Sequence, residues 1–514
     1  MKGFFFLKIR SIVLLSLCIF FNPSRSYCAV DEDYKMTIHN VGQGNCVSVV
    51  SPTKKVLFVD AGSSSTRGVS GITDEKGKYR QLANKIVGSV ERNLSVSHWL
   101  YFIISHPDQD HLNLVQYIIT VSGLLTDTGR LLAECNIGVL FGGKSDIYAR
   151  GEGKTLLLFL SGCSIPFWFG SDQYKLEESS RLFYVPKDDP MPILSEWDGG
   201  LEFLSVGMDA AYLSSTTAEE NSNAASIVVK LQCGGTSVTL TGDKTKKEKR
   251  FITNRFKERG LATRLESDIL LATHHGSGDE FFDEWVRFVN PQQIIFSAGR
   301  ASFCHPRSEA VSGYVSNAAR LQETRWHPIQ FYGPPIDLEG IFRSFATETT
   351  AGDKSTGYTH ALTNRAVFAT GNHGDISYLF SSVRREFSYR TEREITLDLR
   401  TTLYSFLISP RLIDDSPLSL RALRLDGLRF EDGATVDAGY LIPILMTHTS
   451  LEDLSLNDCG ITNEHVGLLC DLIHTLTNLA PLSLRGAAFD RVGYDAITEA
   501  WDSRKLIRDP RPTD

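Results

Sequence analysis

The chain has 514 residues, more than one compact domain usually holds, so we expect two or more domains. Its composition, with 42% hydrophobic, 10% aromatic and 22% charged residues, is that of a globular protein. With 53 basic and 61 acidic residues the formal net charge is −8. This charge excludes a protein whose whole surface binds polyanions nonspecifically. Any nucleic acid or phosphate must therefore be bound by a local basic patch or through metal.

The N-terminal segment has the pattern of a secretory signal peptide. Basic residues within the first ten positions precede an apolar run at residues 11–21, and an Asn-Pro pair follows that run. The run is too short to span a bilayer comfortably. We expect residues 1–28 to be removed, leaving an exported protein, periplasmic or secreted, without a stable membrane span. An uncleaved anchor is the alternative.

The cysteines form no Cys-x-x-Cys pair, which argues against a zinc knuckle or a thioredoxin-type motif. Outside the cytoplasm some of them could pair as disulfides. Cys46 and Cys233 flank apolar strand-like runs and are equally well interpreted as buried thiols.

The first predicted strands frame a glycine-rich turn. Apolar runs at residues 35–39 and 47–50 lie on either side of a Gly-Gln-Gly turn at residues 42–44, and a third run at residues 56–59 ends at Asp60. The glycines would let the backbone pass close to a ligand or adopt a positive φ. For the turn alone, an ordinary hairpin is the favoured interpretation.

The densest group of metal-binding side chains follows a predicted buried strand. Residues 99–104 are apolar, aromatic or β-branched, and His106, Asp108, Asp110 and His111 come directly after them. Mixed imidazole and carboxylate donors suit Zn²⁺ or Mn²⁺ better than Ca²⁺. A polar turn whose side chains cap the backbone is the alternative.

Three further apolar runs lead to residues of the same kinds. The run at 236–241 leads to Asp243, the run at 268–273 to His274 and His275, and the run at 293–296 to His305. Polar residues of an ordinary core would scatter along the strands, so this repetition favours one site at a sheet edge. The five basic residues within 244–250 could bind phosphates, but a solvated helix face is the favoured interpretation.

The order of these motifs resembles the metallo-β-lactamase fold. More narrowly, it is similar to the extracytoplasmic hydrolase domain of ComEC-type DNA-uptake proteins. The matching segments are residues 41–44, 57–62, 105–111, 223–226, 241–243, 273–277, 305–306 and 370–376. The resemblance covers roughly residues 34–385, and it implies an α/β fold, a four-layer αββα sandwich with metals at one edge.

The resemblance also implies roles for individual residues. His106, Asp108 and Asp243 would bind a first divalent metal ion; Asp110, His111 and His275 would bind a second, with Asp243 bridging; both ions would be Zn or Mn. Asp60 would orient ligands from beneath. Asp110 and Asp243 could accept the proton of the attacking water, and His274 and His305 would contact the leaving group or donate a proton to it.

Two departures from the wider fold family narrow the activity. True β-lactamases and glyoxalase II enzymes have His where Asp108 stands, and they supply another His in the region 112–273, which has none here. Both departures speak against lactam hydrolysis. The favoured substrate is a phosphodiester, with nucleic acid as one candidate. Hydrolysis of phosphocholine or other small envelope esters is an alternative, and so is a binding protein with a vestigial metal site.

The C-terminal part has an apolar repeat. Apolar residues recur at offsets 0, 3, 5, 8 and 10 from Leu420, Leu451 and Leu479, in steps of 31 and 28 residues. The pattern resembles leucine-rich repeats of the ribonuclease-inhibitor type, and a Leu-rich helical bundle is the alternative. We expect a short solenoid over residues 395–505, with residues 395–399 as a degenerate first unit. Such an array would lean on the hydrolase domain or a cap and bind a protein partner.

Overall fold

A computed structural model describes most of the chain. The described residues are 33–66, 69–72, 76–176, 184–186, 196–207, 222–299, 303–338, 342–348, 357–392, 403–404, 407–408, 420–428 and 434–508. The predicted signal peptide and the degenerate first repeat, residues 395–399, lie outside them. Among the described helices, none is long and apolar enough to cross a membrane.

The strands and helices are numbered along the chain. The strands are β1 (Tyr34–Ile38), β2 (Cys46–Val50), β3 (Val56–Ala61), β4 (Trp99–Ile104), β5 (Asn136–Phe141), β6 (Phe167–Phe169), β7 (Tyr174–Leu176), β8 (Tyr184–Pro186), β9 (Gly200–Ser205), β10 (Val228–Cys233), β11 (Thr236–Leu240), β12 (Ile269–Leu271), β13 (Gln293–Phe296), β14 (Glu323–Tyr332), β15 (Asp337–Leu338), β16 (Phe342–Glu348), β17 (Tyr358–Arg365), β18 (Val367–Ala369), β19 (Ile376–Phe380), β20 (Phe387–Thr391), β21 (Leu420–Arg424), β22 (Asp453–Ser455) and β23 (Leu482–Ser483). The α-helices are α1 (Lys78–Ser97), α2 (Gln109–Leu112), α3 (Val115–Val121), α4 (Gly151–Gly162), α5 (Gly170–Gln173), α6 (Lys246–Lys257), α7 (Asp283–Val289), α8 (Ser308–Asn317), α9 (Thr370–His373), α10 (Ala438–Leu445), α11 (Val466–Thr475) and α12 (Arg491–Arg508).

Two sheets pack face to face between two layers of helices. The first sheet has the strand order β20-β19-β1-β2-β3-β4-β5-β6, and the second has the order β18-β13-β12-β11-β10-β9. One apolar cluster lies between the sheets and takes residues from both, such as Met36 and Ile103 from the first and Leu231 and Ile295 from the second. This layered α/β arrangement is compatible with the predicted sandwich.

The outer faces of the two sheets are covered by helices. Helices α1, α3 and α4 bury their apolar residues against the first sheet, and α6, α7 and α8 bury theirs against the second. Because both faces of β4 are covered, all six of its side chains are buried, which is why its sequence is continuously apolar. Cys46 and Cys233 are buried in this structure and not joined in disulfides.

The parallel strands set the position of the candidate site. In the first sheet β3, β4 and β5 are parallel, and in the second sheet β11, β12, β13 and β18 are parallel. Asp60 lies at the carboxyl end of β3, residues 105–112 follow β4, Asp243 follows β11, and residues 273–276 follow β12. Ligands of open α/β sheets bind at the carboxyl ends of the strands, which is where these residues meet.

A third sheet joins the two predicted domains. Its order is β14-β17-β16-β21-β22-β23, so strands within the predicted hydrolase range continue into the C-terminal part. Strand β16 pairs antiparallel with β21, for example Ala346 with Leu423. The first sheet also extends past residue 385, since β20 pairs with β19. Backbone pairing therefore connects described strands that lie on either side of the predicted boundary between 385 and 395.

The C-terminal strands are parallel to one another. Strand β21 pairs with β22, and β22 with β23. Helices α10 and α11 connect successive strands, and their apolar residues share one core with the leucines of the strands. The assignment to ribonuclease-inhibitor-type repeats remains a prediction, as does binding of a protein partner.

Candidate metal centre

Five members of the predicted ligand set meet at the carboxyl ends of β4, β11 and β12. Donor atoms of His106, His111 and Asp243 lie within 4.8 Å of one another, and so do donor atoms of Asp110, His111 and His275. The three histidines are each no more than 1% exposed. His111 belongs to both groups, whereas the sequence placed it only with the second metal.

Asp60 orients two of the rings from beneath. Its Oδ2 atom accepts a hydrogen bond from His111 Nδ1 at 2.8 Å and another from the Ser105 hydroxyl at 3.0 Å. Its Oδ1 atom accepts the Ser105 backbone N–H at 2.7 Å. The Ser105 oxygen lies 3.0 Å from His106 Nδ1. One buried carboxylate thus fixes the orientation of two imidazoles, which is how outer partners of metal-binding histidines act.

His275 is oriented by a different element. Its Nδ1–H donates to the backbone carbonyl of Ser297, which follows β13, at 2.8 Å. The hydroxyl of Ser297 donates to the carbonyl of Gly44, also at 2.8 Å, and so links β13 to the glycine-rich turn. With Nδ1 protonated and engaged, His275 Nε2 presents its lone pair to the centre, 3.4 Å from Asp110 Oδ2.

Asp243 lies between the four histidines. Its Oδ1 atom is 3.1 Å from His111 Nε2 and 3.7 Å from His275 Nε2. Its Oδ2 atom is 3.9 Å from His106 Nε2 and 3.5 Å from His274 Nε2. The two oxygens of one carboxylate therefore face two different sides of the centre.

The donor atoms fit a metal ion. Four atoms that face the centre, namely the Nε2 atoms of His106, His111 and His275 and the Oδ1 atom of Asp243, are buried without a well-directed hydrogen bond among the described residues. Buried polar atoms normally have a hydrogen-bond partner. A cluster of buried acceptors without such a partner therefore indicates that a cation binds between them. Imidazole and carboxylate donors of this kind bind Zn²⁺ and Mn²⁺.

Charges within the cluster shift pKa values in opposite directions. Burial would raise the pKa of Asp243, but the neighbouring histidines, above all His111, hold it well below its ordinary value. Burial would lower the pKa of His111, but the carboxylates of Asp243 and Asp60 raise it well above its ordinary value. The carboxylates around His111 and His275 therefore favour the protonated rings when no cation is bound, and a cation would bind there by displacing protons.

Asp108 lies beside the two groups rather than in them. Its Oδ2 atom is 3.4 Å from His106 Nε2, and its side chain is 41% exposed. Its Oδ1 atom accepts a hydrogen bond from the Ser222 hydroxyl at 2.6 Å. Although burial opposes ionisation, His106 and Ser222 hold the pKa of Asp108 at about 2, so it is a carboxylate at neutral pH.

His274 and His305 line the outer side of the centre. Their ring centroids are 5.7 Å apart, and the His305 ring lies 6.3 Å from that of His275. His305 is 8% exposed. Burial, with the nearby histidines, lowers the pKa of His305 to about 3, so the ring is neutral at neutral pH. A neutral ring suits contact with the leaving group better than proton donation.

Several residues around the centre have positive φ angles, and two glycines lie too close to neighbouring backbone to accept a side chain. Asp60, His274 and His275 all have positive φ, at 56°, 51° and 55°, a conformation that clusters at functional sites. A Cβ atom on Gly62 would lie 2.2 Å from the His111 backbone nitrogen. A Cβ atom on Gly44 would lie 2.3 Å from the carbonyl oxygen of Gly62. The glycine-rich turn joins the antiparallel strands β1 and β2, as a hairpin does, and it is also a close-packed wall of the site.

Several functional contacts were not anticipated from the sequence. Ser105, Ser297 and Ser222 contact ligand residues, and Ser226 contacts both His106 Nδ1, at 3.3 Å, and the Asp243 backbone. Serines are common in turns, so composition alone gave no signal for them. The signals available were the position of Ser105 between an apolar strand and His106 and the presence of Ser105 and Ser226 in the matching segments 105–111 and 223–226.

Comparisons with known proteins give one limited sequence match. No family model matches the chain. Over 103 residues the chain is 28% identical to the ComE operon protein 3 of Bacillus subtilis (strain 168), and this stretch is 20% of the chain and 12% of that protein. Among solved structures, a variant of the CmlA beta-hydroxylase covers 56% of this chain and 49% of its own, at 12% identity and a TM-score of 0.29. The chain therefore matches only a small part of the length of its curated relative.

Proposed function

We propose that the protein is a metal-dependent hydrolase that cleaves phosphodiesters. The observation that supports this most is Asp243, whose two oxygens face different histidines at distances of 3.1 to 3.9 Å. A carboxylate placed in this way can serve two cations at once. Pairs of cations about 3.5–4 Å apart are typical of phosphatases and nucleases.

The chain offers residues for two divalent ions, Zn²⁺ or Mn²⁺. His106, Asp108 and Asp243 would hold the first ion. Asp110, His111 and His275 would hold the second, with Asp243 shared between them. Bound ions of this kind lower the pKa of a bound water and polarise phosphoryl oxygens.

The two inner carboxylates differ in access to water. The side chain of Asp110 is 16% exposed, whereas that of Asp243 is 5% exposed. We assign acceptance of the proton from the attacking water to Asp110, because solvent reaches it. Asp243 supplies negative charge to the centre and stays ionised, since the histidines around it hold its pKa low.

His274 and His305 would contact the leaving-group side of the substrate. His274 is 27% exposed, so a substrate can reach it. The neutral ring of His305 can donate one hydrogen bond to a phosphoryl or leaving-group oxygen without carrying charge. These rings position the ester; they do not hold the ions.

An oxygen-rich ligand set supports a phosphodiester over a lactam. The carboxylate of Asp108 stands where lactam hydrolases have an imidazole, and carboxylates accommodate Mn²⁺ as well as Zn²⁺. Nucleic acid is one candidate substrate. The runner-up is hydrolysis of a phosphocholine ester, which would need the same phosphoryl chemistry, or of another small ester.

The test is a screen of metal-free protein reconstituted with Zn²⁺ or Mn²⁺. The substrates are DNA, RNA, bis-p-nitrophenyl phosphate and phosphocholine esters, with Asp243→Asn protein as the blank. Metal-dependent cleavage of a phosphodiester that the blank lacks supports the proposal. Protein that binds two ions and cleaves none of the phosphodiesters would overturn it.

We also propose that the protein is exported and that its C-terminal part binds a protein partner. Export is supported by the charge and hydropathy pattern of residues 1–28. N-terminal sequencing of protein recovered outside the cytoplasm should give a start near Tyr27 or Ala29. Exported protein that still begins at Met1 would contradict the cleavage.

A further inference from the structure

The basic run at residues 244–250 is only partly the solvated helix face that its sequence favours. Lys246, Lys247 and Arg250 are exposed, but two lysines of the run are not. Lys244 and Lys249 are both fully buried. Lys244 directly follows Asp243 and precedes α6. Burial of an ammonium group is costly unless it is paired and hydrogen-bonded, so this position needs a reason.

The ammonium group of Lys244 binds three oxygen acceptors. Its Nζ atom donates to the Ser205 hydroxyl at 2.8 Å, to the Ala224 carbonyl at 2.7 Å and to the Ser226 carbonyl at 3.1 Å. The carboxylate of Glu248, one turn along α6, lies 3.9 Å away and offsets the charge. The ammonium group therefore connects the end of β9 to two carbonyls of the loop at residues 222–226.

The loop at residues 222–226 contacts the residues proposed for the first metal. The Ser222 hydroxyl donates to Asp108 Oδ1 at 2.6 Å. The Ser226 oxygen accepts the Asp243 backbone N–H at 3.1 Å and lies 3.3 Å from His106 Nδ1. One short loop thus touches all three of these residues.

The residues proposed for the second metal are oriented by other elements. His111 is held by Asp60 at the end of β3, and His275 by the Ser297 carbonyl after β13. Neither bond involves the loop at residues 222–226. The rings of His111 and His275 therefore have direct supports outside this loop, although Asp60 also acts on His106 through Ser105 and Asp243 is shared by both halves.

We propose that Lys244 is a positioning residue that sets the geometry of the first metal site through the loop at residues 222–226. The inference rests on the proposed function for the identity of the first site. Lys244 does not touch a cation; it fixes two loop carbonyls, and these fix the serines that orient His106, Asp108 and Asp243. A neutral side chain of similar length would leave both carbonyls without this donor, and the loop would shift to find another.

The experiment compares Lys244→Met with Lys249→Met. Lys249 is the matched control, because it is equally buried, lies on α6 five residues after Lys244, and donates to the Glu280 carbonyl instead of to the loop. Stepwise metal affinity is measured by competition with a chelator, and the ligand field by the visible spectrum of Co²⁺-loaded protein. Unfolding of the metal-free protein is measured in parallel.

Lys244→Met should weaken one of the two binding steps by about 10–100-fold, the usual effect of losing an outer partner of a metal ligand. The other step should be weakened less, because His111 and His275 are held from outside the loop and the shared Asp243 is what connects this step to it. Ser226→Ala should weaken the same step, and the double variant should be no worse than the more affected single one, because both act along one route. Lys249→Met should leave both steps unchanged.

Equal weakening of both steps, or a loss of folding stability with normal metal affinity, would show that Lys244 is only structural. If Lys244→Met does not fold, Ser222→Ala and Ser226→Ala, which keep the lysine, must still weaken one step selectively, or the inference is wrong. All these measurements are of binding. Failure to cleave phosphodiesters would therefore overturn the proposed function and leave the role of Lys244 standing.

Discussion

Asp243 shows how one side chain links the two halves of the centre. Its carboxylate is 5% exposed and faces four imidazoles. The charge it supplies is what would let two cations lie close together at low cost, since cations repel strongly in a site with little water. Its backbone is fixed as well, because its N–H donates to Ser226.

We expect Asp243→Asn to abolish binding of both ions and phosphodiester cleavage while leaving the fold intact. The amide has the same shape as the carboxylate but supplies no charge. Metal content by mass spectrometry, together with the rate on bis-p-nitrophenyl phosphate, checks this. A variant that keeps two ions at full occupancy would contradict the bridging position.

We expect His305→Ala to keep both ions and to slow turnover by about 10–100-fold, the range for loss of one hydrogen bond to a charged group. Because the pKa of His305 is held at about 3, the pH profile of turnover should keep its shape between pH 5 and 9. If His305 were a proton donor, the loss would be about 10²–10⁴-fold and the alkaline limb of the profile would change. Loss of metal would instead make His305 a ligand.

We expect metal binding to release protons. The carboxylates raise the pKa of His111 and His275 in the metal-free centre, so these rings bind protons that a cation must displace. A group with a raised pKa in the folded state stabilises the metal-free fold at low pH, and this contribution is lost as pH rises through that pKa. Metal affinity should therefore fall as pH falls. Calorimetric titration in buffers of different ionisation enthalpy measures the protons released; a value of zero at pH 6 would contradict the raised pKa values.

At the scale of elements, two buried histidines pack together beside β18: His327 lies on β14 and His373 lies on α9. His373 Nε2 lies 3.1 Å from His327 Nδ1, and His327 Nε2–H donates to the Arg365 carbonyl at 3.0 Å. The His327 ring stacks on Phe368 with centroids 5.0 Å apart. Both nitrogens of His327 are thus engaged, which favours the neutral form of this ring.

We expect His327→Gln to leave metal content and turnover unchanged and to alter only acid stability. Burial lowers the pKa of His327 to about 4, below its value of about 6.5 in an unfolded chain. A histidine with a lowered pKa contributes stability above pH 6.5 that is lost as pH falls toward 4. Denaturant unfolding of the wild type should therefore weaken across this window, and the variant should show a shallower decline. An identical decline in both would place the acid sensitivity elsewhere.

Elements that follow a simple pattern were predictable, and contacts between elements were not. Strand β4 and the ligands after it were accessible from the sequence, because a strand buried on both faces is continuously apolar. The burial of Lys244 was not, because lysines are almost always exposed and two of its partners are backbone carbonyls, which leave no trace in sequence. Helix α6 begins at its basic run for the ordinary reason: Thr245 caps it by accepting the N–H of Glu248.

At the scale of the whole molecule, the third sheet connects the two predicted domains. The sequence predicts two domains with a break between residues 385 and 395, because the apolar period changes at Leu420. The structure pairs β16 with β21, and Leu362 of β17 lies in the same core as Leu420 and Leu423. A pairing between strands that are far apart in sequence has no local signature, so the sequence predicted that the C-terminal part would lean on the rest of the chain or a cap but did not identify β16 as its partner.

We expect protein truncated after Glu392 to retain two metal ions and hydrolysis, because all the proposed ligands precede His305. Ending the chain at Glu392 keeps the bonds from Asp375 and Lys85 to its carboxylate. The cut exposes Leu362 and the edge of β16, so the truncated protein should dimerise or aggregate more readily. Metal analysis of the monomer fraction from size-exclusion chromatography is the measurement, with Leu362→Gln in the truncated chain as a control that should raise the monomer yield. Loss of metal from a folded monomer would show that the C-terminal part completes the site.

The pairing of β16 with β21 gives the C-terminal stack a starting edge. In an isolated array, folding can nucleate at any unit and spread in both directions. Here the first strand of the stack, β21, pairs with β16 of the preceding part of the chain. Each later strand then pairs with the one before it. We therefore expect folding of this part to proceed in one direction, from β21 toward β23, with nucleation set by β16. Extra strand–helix units inserted after Ser483 should lengthen the stack without disturbing it, whereas units inserted before Leu420 would separate it from its nucleus.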